Sequence, residues 1–195
     1  MGLETREFIK VPKERVAVII GSNGQVKSMI ERETKTKLDI NSEDGNIVIT
    51  PTEETDDPLA VWKARDIVRA IGRGFSPTRA LRLLDEGELL EIVDLTLFTN
   101  KSKNSLTRIK GRIIGAGGKT RKIIEEISGA NISVYGHTVA IIGNVEQGRM
   151  AKEAIMMLIK GAPHSTVYSV LQKRKRAQKR KWTSWKTLGE NQIGS

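Results

Sequence analysis

Apolar positions along this chain follow one pattern twice. In the second occurrence, residues 88–98 (ELLEIVDLTLF) are rich in Leu, Ile and Val with partial alternation, which predicts a strand. Residues 100–104 read as a polar turn. Across 105–114, Leu106, Ile109, Ile113 and Ile114 recur at helical spacing. A glycine cluster interrupts them. A second helix follows over 119–128, with Ile123, Ile124 and Ile127 on one face and Gly129 as its C-terminal stop. Strands over 131–135 and 139–142 flank a short turn at 136–138. The last helix, 145–160, puts Ala151, Ala154, Ile155, Leu158 and Ile159 on one face and ends at Gly161 and Pro163.

The first occurrence has the same order: strand 8–11, helix 13–20, helix 25–35, hairpin strands 37–41 and 46–50, and a helix over 58–71 with Asp56 or Asp57 as its cap. Residues 79–84 predict a short linking helix. RVAVIIGSNGQVKSMIERETKTKLDI and IKGRIIGAGGKTRKIIEEISGANISV align without a gap at an offset of 94. Ile19, Ile20, Gly21, Gly24, Ile30 and Glu31 recur as Ile113, Ile114, Gly115, Gly118, Ile124 and Glu125. The frame that survives is I-I-G-x-x-G followed by an amphipathic run, in an α+β order β-α-α-β-β-α.

Within the second copy, GAGGKT (115–120) imitates the phosphate loop of a nucleotide hydrolase. Three observations exclude that reading. Lys119 and Thr120 are Gln25 and Val26 in the first copy, Ile113 stands where a Walker loop needs glycine, and no apolar strand ending in Asp follows. No other catalytic constellation is present: no paired carboxylates at metal spacing and no Ser-His-Asp set. The chain has no cysteine, so disulfides and thiolate chemistry are excluded, and a reducing cytoplasm is the expected home. The two histidines, His137 in a hairpin turn and His164 in the turn after Gly161-Ala162-Pro163, have no acidic cluster beside them, so no metal or other cofactor is expected. No apolar run approaches a membrane span, and the N-terminus is neither a signal peptide nor a myristoylation site.

Charge sharpens the picture because of where it lies. Residues 1–87 carry 14 basic and 15 acidic residues, 88–172 carry 11 and 7, and 173–195 carry 8 and 1. Those three segments are the expected first domain with its linking helix, second domain with a C-terminal helix, and basic tail. A net charge of +10 concentrated in the second half and tail points to a polyanion, most simply nucleic acid. Between Lys101 and Lys122 there are eight basic residues and no acidic one. The tail has seven basic residues among the nine from Lys173 to Lys181, including Lys173, Arg174, Lys175 and Arg176. It is expected to extend a helix from 164–172 and then become mobile, adding affinity without sequence choice. Trp182 and Trp185 either stack on bases or a partner or have no role.

Two helices joined by G-x-x-G, packed with a third on a three-stranded antiparallel sheet, make up the type I KH module, and both copies resemble it. The resemblance implies two tandem type I KH domains plus a basic C-terminal helix or tail. It also implies that the loop clamps the backbone of about four nucleotides of single-stranded nucleic acid. The second-copy site is then Lys110, Arg112, Ile113, Ile114, Gly115, Ala116, Gly117, Gly118, Lys119, Arg121, Lys122 and Ile132, with Ile123 and Val134 as further candidate groove walls. Some of the apolar ones must instead be core. The first-copy site, weaker because Glu14, Glu31 and Glu33 oppose its cations, is Lys13, Arg15, Gly21, Ser22, Asn23, Gly24 and Lys27. It reads as an auxiliary RNA site, a protein-docking surface, or a repeat retained for packing.

The stretch RALRLLDEGELLEIVDL between the copies and the ending GAPHSTVYSVLQKRKR are similar to those of the archaeal ribosome-assembly proteins of the partner-of-Nob, or Dim-two, family. The similarity extends over essentially residues 1–180, and Gly161–Tyr168 is its most family-specific part. It implies a factor that binds the single-stranded 3′ region of small-subunit rRNA in a subunit precursor, working with the Nob endonuclease, expected as a monomer with no membrane role. In the family's eukaryotic members the first loop is not a usable G-x-x-G, whereas GSNG is intact in this chain. A general single-stranded nucleic-acid binder, DNA included, or a protein-docking scaffold with non-specific RNA affinity remain the alternatives.

Overall fold

The computed structural model describes residues 6–99 and 102–190, with side chains through Arg180. The first module runs β1 (Glu7–Lys10), α1 (Lys13–Ile20), α2 (Gln25–Thr34), β2 (Thr36–Ile40), β3 (Asn46–Pro51) and α3 (Ala60–Gly72). A linker follows, with a short α4 (Pro77–Ala80) and a 3-10 turn, Leu81–Leu84. The second module runs β4 (Leu89–Asp94), α5 (Lys103–Ile114), α6 (Lys119–Ser128), β5 (Asn131–Tyr135), β6 (Thr138–Gly143) and α7 (Val145–Ile159). Each module has one antiparallel sheet with its third strand in the middle, ordered β1-β3-β2 and β4-β6-β5. This is the expected pair of tandem type I KH folds.

Local chemistry moves several boundaries. The predicted strand 88–98 stops at Asp94, whose carboxylate accepts the Thr96 amide at 2.8 Å and turns Leu95–Phe98 into a 3-10 segment. Its pKa is held below the usual carboxylate value, first by the hydrogen bond from the Thr96 side chain. The polar turn at 100–104 is cut short because Ser102 caps α5, so residues 103 and 104 are already helical; residues 100 and 101 lie outside the described residues. Asp57 accepts the Leu59 amide at 2.8 Å, just ahead of α3, while Asp56 pairs with Lys35 instead. Asn144 and Gln147 form a reciprocal capping box that starts α7.

The C-terminal segment carries the expected helix. A single helix, α8 (His164–Glu190), runs without a break across residue 173. No Gly or Pro interrupts its Lys, Arg, Ala and Gln residues before Gly189, so nothing in the backbone stops it. Val167 and Leu171 anchor it, fully buried in the second core against α6 and α7. His164 is its first residue, not a turn residue, and its Nε2 lies 2.9 Å from the Arg112 carbonyl.

The two modules share a core. All six residues of β6 are buried, because both faces of that strand are covered. Val139 and Ile141 pack with α7 in the second core, while Ala140 and Ile142 pack with Phe75 and Leu83 in the first. Arg82 of the linker locks this arrangement, donating to the Gly129 carbonyl at 2.9 Å and to Gln147 Oε1 at 2.6 Å while pairing with Glu88 at 2.8 Å. Across the same seam the Tyr135 hydroxyl donates to Glu14 at 2.7 Å, and Arg15 lies 5.7 Å from the Tyr135 ring centroid. That hydrogen bond holds the Glu14 carboxyl below its usual range and raises the Tyr135 phenol.

Candidate nucleic-acid interface

The two glycine loops share one backbone. Gly21 (φ 73°, ψ 177°) matches Gly115 (φ 73°, ψ 172°), and Gly24 (φ 77°, ψ 10°) matches Gly118 (φ 78°, ψ 11°). Asn23 (φ 51°, ψ 29°) takes the left-handed conformation of Gly117 (φ 57°, ψ 23°), one that Asn tolerates better than most residues. The first loop is therefore as well formed as the second. A β-branched residue fills the space beneath each: Val26 under Gly21, Thr120 under Gly115. Thr120 is buried, and its hydroxyl accepts a hydrogen bond from Tyr168 of α8 at 3.0 Å. The threonine of GGKT is thus a packing residue.

Around the second loop the predicted residues divide. Ala116 and Gly117 form an exposed tip, and Lys119 and Lys122 are exposed beside it on α6. Gly118 caps α6 without any side-chain hydrogen bond; the Lys119 amide turns back to the Ala116 carbonyl, and the positive end of the helix dipole faces the loop. Arg108 is exposed on α5. Arg112 is committed elsewhere: its guanidinium donates to the carbonyls of Leu158 at 3.1 Å and Ala162 at 2.6 Å, tying α5 to the end of α7. Lys110 reaches the Gly136 carbonyl at 3.0 Å and holds the β5–β6 turn. Ile113 and Ile132 are 0% exposed, and their side chains belong to the second core. Consecutive helix residues point about 100° apart, so with Ile113 inward, Ile114 faces the groove.

That groove, about 380 Å³, runs beside the loop between α5–α6 and the free edge of β5. Ile114, Arg121 and Val134 line it from the second module, with Ile132 at its floor. Glu125 organises it: one carboxylate accepts the Ile132 amide at 2.8 Å and pairs with Arg121 at 3.5 Å and Arg79 at 2.8 Å. Arg121 also donates to the Ile132 carbonyl at 3.2 Å. Both main-chain groups of Ile132 therefore point away from β6. By the period-two alternation of a strand, those of Val134 point the same way, into the groove. An apolar slot with a donor and an acceptor on its edge can hold a nucleobase.

The first module repeats the framework with different chemistry. Glu31 accepts the Leu38 amide at 2.8 Å, as Glu125 does for Ile132, which is why that glutamate recurs in the repeat. Lys27 lies 3.8 Å from Glu31. Asp39 is exposed where the second module has Ser133. Arg15 is spent on the carbonyls of Ile71 at 2.8 Å and Phe75 at 2.7 Å, so of the predicted cations only Lys13 is exposed, and it starts α1, at the opposite end of that helix from the loop. On α8, Arg174 pairs with Glu153 at 2.6 Å and Lys175 donates to the Glu126 carbonyl at 3.1 Å, while Lys173 and Arg176 are exposed. Sequence reasoning missed Arg79, Ser76 and Ser133, which also line the second groove. The linker lies outside the repeat, so the comparison of the two copies did not reach it.

Comparison with known proteins follows this division. Residues 89–176 match the second KH domain of PNO1, described as a eukaryotic-type, type I KH domain, and residues 7–86 match the Krr1 KH1 domain. A KH domain-containing protein of Methanocaldococcus jannaschii is 50% identical over 92% of this chain and 79% of its own length. The RNA-binding protein PNO1 of Oryzias latipes is 32% identical over 86% of this chain and 69% of its own. Dim2p of Pyrococcus horikoshii, solved in complex with a/eIF2alpha and rRNA, superposes with a TM-score of 0.86 at 58% identity, covering 90% of this chain and 96% of that one.

Proposed function

The chain belongs to the PNO1/Dim2 family of KH proteins, and from that premise we propose that it is a single-stranded RNA-binding factor of small ribosomal subunit assembly. Its ligand is the 3′ region of small-subunit rRNA, held by the second module. The observation that carries this reading is the second loop, an exposed glycine tip at an uncapped helix N-terminus, flanked by Lys119 and Lys122. A phosphate seats at the N-terminus of α6, because glycine leaves the main chain approachable and the dipole favours an anion. The next base enters the groove between Ile114 and Val134, where the main chain of Val134 meets its edge. The cations of α8 add affinity that falls with salt. Binding, with no chemistry on the RNA, is the whole activity.

The first module is the protein-facing half. Leu90 and Ile142, paired across sheet two, pack on the first module, whereas Phe8 and Val48 hold the corresponding pair on sheet one and Phe8 is 74% exposed. That open face suits a protein partner, for which an a/eIF2alpha-like protein and the Nob endonuclease are the candidates. We take residues 1–87, 88–172 and 173–195 as the working units of a cytoplasmic monomer. Ultraviolet cross-linking of an RNA copying the 3′ end of small-subunit rRNA, followed by peptide mapping, tests the reading. Cross-links should fall in 114–122 and 132–135. Cross-links confined to 13–27 or to α8 would contradict it.

A further inference from the structure

The groove of the second module is not built by that module alone. Gly74, Phe75, Ser76 and Arg79, all from the linker, line it opposite Ile114 and Arg121. The wall they make is fixed. Ser133 Oγ donates to the Arg73 carbonyl at 2.9 Å, and Gly74, at φ 93°, lies so close that a Cβ would come within 2.7 Å of Ser133 Oγ and 2.8 Å of Tyr135 Cβ. Ser76 caps α4 and so sets the position of Arg79.

We infer that Arg79 is a specificity-determining residue of this groove, donating from its guanidinium to an acceptor edge of the base beside Val134. The inference rests on the RNA-binding reading above. Arg79 spends one N–H on Glu125 at 2.8 Å, its side chain is 43% exposed, it lines the groove, and a guanidinium has further N–H donors to offer. Glu125 is already shared with Arg121 and the Ile132 amide, so one carboxylate faces two guanidiniums and the groove keeps a net positive wall whose arginines can only donate. Such a wall favours a base edge made of acceptors, such as guanine O6 and N7 or a pyrimidine carbonyl, over one presenting an amino group. Arg79 belongs to the linker and lies outside the repeat that the two modules share.

Fluorescence-anisotropy binding at two salt concentrations tests it. The probes are an RNA copying the 3′ end of small-subunit rRNA and a set differing from it by one base each. The proteins are the parent, Arg79→Ala, Arg79→Lys, and the loop variant Ala116→Asp with Gly117→Asp. Arg79→Ala should lose roughly tenfold in preference at one nucleotide position, within the range of a good arginine–base contact, with its salt slope unchanged. Arg79→Lys should recover affinity but not the preference. The preference ratio is insensitive to the fraction of folded protein. Equal weakening for every RNA with a shallower salt slope would make Arg79 a phosphate contact and overturn the inference, as would no change at all. If the loop variant loses its RNA preference while Arg79→Ala keeps it, only this inference falls. If the loop variant matches the parent, the reading beneath it falls too.

Discussion

Gly115 and Gly117 are two residues apart, yet they carry different loads. At Gly115 the backbone (φ 73°, ψ 172°) lies in a region almost closed to other residues, and a Cβ would come within 2.2 Å of Thr120 Oγ1. At Gly117 the conformation is left-handed but the space is open, and Asn23 occupies the equivalent place in the first loop. In urea unfolding, Gly115→Ala should therefore cost at least about 2 kcal/mol and Gly117→Ala about 1 kcal/mol; equal costs would contradict the packing described. The same scale shows what the sequence could not resolve. The apolar spacing finds the buried stripe of α5 but not which of Ile113 and Ile114 is core, since both sit near its edge. A run of cations gives charge but not direction, and Arg112 and Lys110 turn out to hold backbone carbonyls. Glu125 was visible as a repeated glutamate, but its partner amide seven residues on was not.

Elements were more legible than residues. The β-α-α-β-β-α order follows from periodicity and from glycines at turns, and the structure keeps it. The early stop of β4 has a local cause, since Asp94 ends a strand whose apolar run continues, and α8 runs on because no breaker interrupts it. α8 has two halves with separate duties. Val167, Leu171 and the Tyr168–Thr120 hydrogen bond brace α6 and the loop above it, whereas the residues beyond Lys175 carry mainly charge. Ending the chain at Lys175 removes Arg176, Lys179, Arg180, Lys181 and Lys186. The shortened protein should keep its melting temperature and RNA preference but show a shallower salt dependence, by roughly 0.7 in slope for each phosphate that these cations neutralise. Ending it at Ala162 exposes the second core and should abolish that module's cooperative unfolding, as read by circular dichroism. Loss of RNA preference in the first truncation would place the reader on the tail.

At the scale of the whole molecule, a tandem repeat has become an asymmetric unit. Sheet two is covered on both faces, Arg82 and the Glu14–Tyr135 pair close the seam, and the linker is left along the edge of the second groove. The repeat itself could be seen in the sequence. The seam could not, because Leu83, Ala140 and Ile142 look like ordinary core residues of their own modules. In the function proposed above, charge and surface divide the labour, with the RNA-binding loop and groove on one module and an open apolar sheet face on the other. The most direct test of that division is anisotropy binding of the 3′-end rRNA sequence against a scrambled RNA. It compares the parent, Ala116→Asp with Gly117→Asp, and Ser22→Asp with Asn23→Asp. The left-handed site accepts Asn23 and the tip has open space, so both variants should fold. Only the second-loop variant should lose the preference for the rRNA sequence. If the first-loop variant loses it instead, or if all three bind both RNAs alike and salt removes the difference, the second loop is not the reader.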